Sequence, residues 1–199
     1  MEVSVDEPAH GALRLGNRDG LPDDIAFLRA HYPRGDWRLH TNFGQLADFW
    51  LQVHASLRHE GSEVSRLVDA FRDRQIDAIQ LQRAFVPLLN GFLQHLDQHH
   101  RIEDSLYFPK FRLLDERMVV GFDLLEADHT QIHHHLVATV EHARGLLNAL
   151  SAPGETARRA ADNYADTARN LLDLLVKHLA DEEELVIPAM LQHGERPLT

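Results

Sequence analysis

Two stretches of the chain carry one pattern. HHRIEDSLYFP (residues 99–109) and HLADEEELVIP (residues 178–188) share a histidine, a glutamate four residues on, a second acid, then a leucine and a proline. His99 and His178 are 79 residues apart (178 − 99), and Glu103/Glu182, Leu106/Leu185 and Pro109/Pro188 keep that offset. His54 and His133 stand at the same offset (133 − 54 = 79). With 15 histidines, one or two His–His coincidences are expected by chance. A whole H-x3-E-[D/E]-x-L-x2-P pattern recurring with them is not. The chain reads as two copies of one structural unit.

Each copy has the period of a helix pair. Leu46, Phe49, Trp50, Val53, Leu57, Val64, Leu67, Val68 and Phe71 recur largely at three- and four-residue steps, the mark of an amphipathic helix. Gly61 is a possible interruption. A second helix follows through DAIQLQRAFVPLLNGFLQHLDQHHRIEDSLYF, with Pro87 a kink or break near its start. A third runs through GFDLLEADHTQIHHHLVATVEHARGLLNAL, and a fourth through ETARRAADNYADTARNLLDLLVKHLADEEELVI, after a turn at SAPG (151–154). Pro109 and Pro188 are expected to stop their helices. No segment alternates with period two. The expected fold is all-α: an antiparallel up-down four-helix bundle of two repeated helix pairs. It is expected to span residues 38–199. Residues 1–37, dense in Gly, Pro and Asp, read as an irregular extension packed on the bundle, with one short helix in DDIAFLRAHY.

Composition narrows the chemistry. There is no cysteine, which excludes disulfides, thiolate metal sites and thiol catalysis. The net charge of −11 makes nucleic acid a poor partner and a cation a good one. No apolar run is long enough to span a bilayer, and the N-terminus lacks the basic and apolar regions of a signal peptide. A soluble, cytoplasmic protein is expected, with no membrane partner. No feature of the sequence names a protein partner.

The repeated residues then acquire a meaning. Residues four apart lie on one helix face, so His99 with Glu103, His129 with His133, and His178 with Glu182 aim in pairs. His54 adds a group from the first helix. Pointed inward, five imidazoles and two carboxylates suit two metal ions bridged by the carboxylates. Nitrogen and oxygen donors without sulfur favour iron or manganese, and zinc also accepts them. The copies differ at one position: where the third helix has His129, the first has Trp50 (129 − 79). One metal would have His129, His133 and His178; the other only His54 and His99. The poorer metal keeps an open position, walled by Trp50, where a small ligand binds. His95, one turn before His99, and Glu126, one turn before His129, are candidate outer hydrogen-bond partners. His100, Asp104, His134, His135, Glu183 and Glu184 read mainly as solvated face.

The ordered set H…H-x3-E…H-x3-H…H-x3-E resembles the hemerythrins and the hemerythrin-like HHE cation-binding domains, of the bacterial type because the last carboxylate is Glu182. The resemblance covers about residues 40–193. It implies a non-haem pair of iron ions, bridged by Glu103, Glu182 and a solvent-derived oxo or hydroxo oxygen. It also implies that the iron on His54 and His99 is the five-coordinate one that meets dioxygen. Carrying, storage or sensing of dioxygen or a similar small ligand is the expected function. An enzyme acting on peroxide or nitric oxide is the first alternative; it ranks lower because no general acid stands beside the site. An iron sensing or storage module acting through a partner protein is the second.

Overall fold

A computed structural model describes residues 11–152 and 154–199. The first ten residues, with the leader reading made on them, and Pro153 of the expected turn lie outside the described residues. Among the described residues there is no strand. Four long helical runs follow a short 3-10 helix at Arg34–Leu39. They are α1 (Gln45–Arg72), α2 (Ala78–Ile102), α4 (Val119–Ala149) and α5 (Gly154–His193). Between α2 and α4 lie a π turn at Glu103–Tyr107, the short α3 (Phe108–Arg112) and a 3-10 turn at Glu116–Met118. No helix of the described residues is long and apolar enough to cross a membrane.

Several expected interruptions do not interrupt. Gly61 lies inside α1, where Leu172 occupies the space a Cβ would need. Pro87 is internal to α2 and Pro188 to α5, which runs on to His193. Nor does Pro109 end its helix; it stands at the first turn of α3, the place where a missing N–H costs least. Just before it the chain takes the π turn, with the Phe108 amide donating to the Glu103 carbonyl. The extra residue shows in the burial. Steps of three or four along α2 become a step of five from buried Glu103 to buried Phe108, while Leu106 is exposed. The short helix expected in DDIAFLRAHY is a series of turns instead, closed by bonds such as Ala26 N–H to Pro22 O and Tyr32 N–H to Leu28 O. Its apolar residues Ile25 and Ala26 are buried without forming a continuous helix.

The chain divides into two compact units. One comprises the residues up to Gln52, Ile102–Gln131 and Val176–Thr199. Its core gathers Trp37, Trp50, Phe108, Phe111, Phe122, Leu125, Leu185 and Met190. Phe122 stacks on Phe111 at 5.0 Å between ring centres. Leu21, Ile25, Ala26 and Trp37, from before α1, belong to the same core. The other unit comprises Val53–Arg101 and Ile132–Leu175. Leu57, Val64, Leu81, Phe85, Leu96, Leu146 and Leu175 are buried in it, and Phe85 meets Tyr164 edge-on at 5.0 Å. Each large side chain buried this way contributes about 1.5–3 kcal/mol.

In the first unit the start of α1 is tied to the end of the chain. The Glu195 carboxylate accepts from the amides of Gly44 (3.1 Å), Leu46 (3.1 Å) and Ala47 (2.8 Å). These are the amides a helix leaves unsatisfied, and an anion there also meets the positive end of the helix dipole. A Cβ at position 44 would lie 2.3 Å from Glu195 Oε2, so the carboxylate reaches the amides only across a glycine. Glu195→Ala is expected to lower stability by about 1–2 kcal/mol, measured by chemical denaturation, while Arg196→Ala leaves it unchanged. An equal effect of the two would refute this capping role.

Candidate metal centre

The polar core of the first unit is assembled from one turn of each of several helices. His129 comes from α4, His178 and Glu182 from α5, and Glu103 opens the π turn. All four are buried, Glu103 at 2 % exposure and Glu182 at 0 %. The four-residue step of α5 sets His178 Nε2 3.3 Å from Glu182 Oε2. His129 Nε2 lies 3.0 Å from His178 Nε2 and 3.5 Å from Glu103 Oε2. Donors held at about 2.0–2.2 Å around one cation stand roughly 3 Å apart, so these separations fit convergence on a common ion. In the second unit the rings of His54 and His99 meet edge-on at 5.1 Å. Two groups offer ligand atoms mutually within 4.8 Å: His54, His99, Glu103 and Glu182, and His100, His129 and His178.

His133 is in neither group, and it is exposed. The helical phase explains this. In α1 the buried positions run 47, 50, 54, 57, 61, 64, 68 and 71; in α4 they run 121, 122, 125, 128, 129, 132, 139, 143 and 146. An offset of 79 carries 50 to 129 and 64 to 143. The position between them falls at Ile132 rather than His133. At 100° per residue, His133 points roughly 90° from the mean direction of that stripe. Burying Ile132 is favourable; burying a third imidazole there would need a polar partner. His100, read from the sequence as solvated face, is buried, and it is the histidine grouped with His129 and His178.

The outer contacts also differ from expectation. Trp50 is buried, and its indole N–H donates to Glu182 Oε1 at 2.6 Å. It therefore orients a carboxylate rather than merely walling a pocket, and its ring packs edge-on against Tyr107 (5.0 Å) and Phe111 (6.0 Å). His95 pairs with Glu60 at 3.0 Å, and Glu126 pairs with Arg112 at the surface; neither joins the ligand groups. Their expected role falls to Asp104 and Asp128. His129 Nδ1–H donates to Asp104 Oδ1 at 2.7 Å, and His178 Nδ1 faces Asp128 Oδ2 at 3.4 Å. Each contact leaves Nε2 directed at the shared centre. Asp128 and Asp104 each stand one residue from a ligand, a signal the sequence held. That Glu183 is fully buried was not visible there.

The electrostatics describe a site built for positive charge. Burial, then the nearby Glu182, push the Glu103 carboxyl well above the usual range. Burial lowers the His129 imidazole, which favours the neutral ligating form despite Asp104. Burial also acts against the His178 imidazolium, but Asp128 and Glu182 outweigh it and raise the group to about 9. The metal-free protein therefore holds a proton on His178 at neutral pH, and metal uptake must release it.

The family model of the hemerythrin HHE cation-binding domain matches residues 45–190. The chain belongs to this family. No curated protein and no solved structure matches it. As a hemerythrin-family chain it is a metal-binding protein whose His/Glu cluster suits iron, and positions 100 and 133 both lie within the matched region.

Two outcomes follow. His133→Ala is expected to leave metal content unchanged. His100→Ala should weaken binding beyond the roughly 10–100-fold typical of losing an outer partner, read by metal analysis after dialysis. The reverse order would restore His133 as the ligand. Separately, a raised histidine contributes stability fully below its unfolded value of 6.5, and that stability is lost as pH rises through about 9. The thermal midpoint of metal-free protein should fall between those limits more steeply than that of His178→Gln. Parallel curves would remove His178 as the titrating group.

Proposed function

We propose that this protein holds a pair of iron ions and binds dioxygen or a similar small ligand at them, as a carrier, store or sensor. The convergence of His129, His178, Glu103 and Glu182, with His54 and His99 on the same two carboxylates, supports this reading. One ion would be held by His100, His129 and His178, the other by His54 and His99, with Glu103 and Glu182 serving both. Iron is favoured by nitrogen and oxygen donors without sulfur; manganese and zinc are the substitutes this donor set admits. When bound, such a pair supplies redox-active cations, one of them with fewer protein ligands and so with room for a small molecule.

The chain's own residues prepare that place. Trp50 stands where the other copy has a ligand histidine, and its N–H fixes Glu182 Oε1. Tyr107 and Phe111 pack edge-on against the Trp50 ring that holds this carboxylate. Such a wall excludes water and favours an uncharged diatomic ligand over a polar one.

Iron-loaded protein, reduced without air and then exposed to oxygen, should develop a visible charge-transfer absorption that is lost on removing oxygen. A colourless protein with stoichiometric iron would sink the oxygen reading. Glu103→Ala and Glu182→Ala should each lower iron content more than His54→Ala, since each carboxylate serves both ions. Equal iron in all three variants would contradict the bridging assignment.

A further inference from the structure

Residues 181–184 are four consecutive acids on α5: Asp181, Glu182, Glu183 and Glu184. Glu182 faces the metal groups. Each of the other three pairs with a different arginine from the segment before α1. Arg18 Nε donates to Asp181 Oδ2 at 2.8 Å. Arg34 pairs with Glu183, which is fully buried, and Arg29 pairs with Glu184. This segment lies outside the residues matched to the family.

Arg18 goes further than its two companions. Its side chain is 3 % exposed. Besides Asp181 it grips both oxygens of Asp128, with Nη1 to Oδ1 at 2.9 Å and Nη2 to Oδ2. Asp128 is the carboxylate that faces His178 Nδ1. Arg18 is itself anchored, donating from Nη1 to the Leu13 carbonyl at 2.8 Å and receiving Lys177 Nζ on its own carbonyl at 3.1 Å. A guanidinium buried between two carboxylates adds little net stability over an apolar replacement. What it supplies is direction: a rigid fork that fits a carboxylate bidentately and fixes its plane.

We propose that the segment 11–39 is a working part of the metal centre, an arginine clamp in which Arg18 acts through Asp128 to aim His178 at the metal. Arg18 is a positioning residue, and the inference rests on the metal-binding reading above. Because the clamp holds the ligand-bearing turn of α5 at three flanking acids, metal binding and docking of the segment stabilise each other. Linkage requires the coupling to run both ways.

The test uses the full chain with ferrous iron under anaerobic conditions. Affinity is measured by competition with a chromophoric chelator, for wild type, Arg18→Met, Arg18→Lys and Arg38→Ala. Arg18→Met should bind iron about 10–100-fold more weakly. Arg18→Lys should also lose affinity, because an ammonium cannot fork onto Asp128 while holding Asp181; it serves as the second variant if the methionine variant fails to fold. Arg38→Ala, whose partner Asp48 is not one of the α5 acids, should stay within twofold. In reverse, iron should slow tryptic cleavage at Arg29, Arg34 and Arg38 in wild type. Affinities of the folded Arg18 variants within twofold of wild type, or cleavage insensitive to iron, would overturn the clamp. A wild-type chain that binds no iron would overturn the metal-binding reading and the clamp with it. The affinity comparison separates the clamp from a purely structural role, which would lower the metal-free thermal midpoint and leave iron affinity unchanged.

Discussion

Two carboxylates with almost no exposure, Glu103 and Glu182, are the constraint around which the first unit is organised. Moving one carboxylate from water into a protein interior costs several kcal/mol even after relaxation, and each makes the other worse. The result is the strong upward displacement of the Glu103 carboxyl. Every polar neighbour is legible as an answer to that charge. Trp50 donates to Glu182, His178 keeps a proton beside it, and His129 approaches Glu103. Cations would meet the same demand more fully, so metal occupancy and folding share one free energy.

That constraint was readable in the sequence because it is local and repeated. A four-residue step puts His178 and Glu182 on one face whatever surrounds them. A motif occurring twice at one offset says that both copies aim the same way. Helix count and approximate lengths came from the same periodicity. The repeat misled where the two copies stop being equivalent. His133 matches His54 by offset, yet from the matched positions 50 and 129 the buried stripe steps four residues to His54 in α1 and three to Ile132 in α4. The apolar stripe carried that information more faithfully than the histidine pattern did. His100 was misread for a related reason. A residue next to a ligand usually faces away, and only the burial of neighbouring His99 and His100 together brings both inside.

Contacts distant in sequence were not legible. Arg18 is 110 residues from Asp128 and 163 from Asp181, and no local spacing connects them. The acids at 183 and 184 looked like a solvated face because helix geometry points them away from Glu182. They are turned away from the metal groups, but toward the segment preceding α1. Proline was over-read in the same manner. Pro109 and Pro188 occupy one position of the repeat, yet one follows a π turn and the other sits inside an unbroken helix. A missing N–H can be accommodated in more than one way, and which one is chosen depends on what the next turn must bury.

The inequality of the copies bears directly on function. Two fully equivalent halves would give two equivalent ions, each saturated by the same protein ligands, and no preferred place for a third molecule. Position 50 breaks that equivalence by replacing an imidazole with an indole that cannot ligate but can donate. Glu103 and Glu182 thereby become different carboxylates. Glu182 is held at one oxygen by Trp50 on a continuous helix, while Glu103 opens a π turn, a distortion that recurs at functional sites. Glu182 takes its orientation from an indole N–H, whereas Glu103 lies beside the His129 imidazole. The asymmetry thus gives the two carboxylates different partners and different backbones, although the repeat places them at equivalent positions.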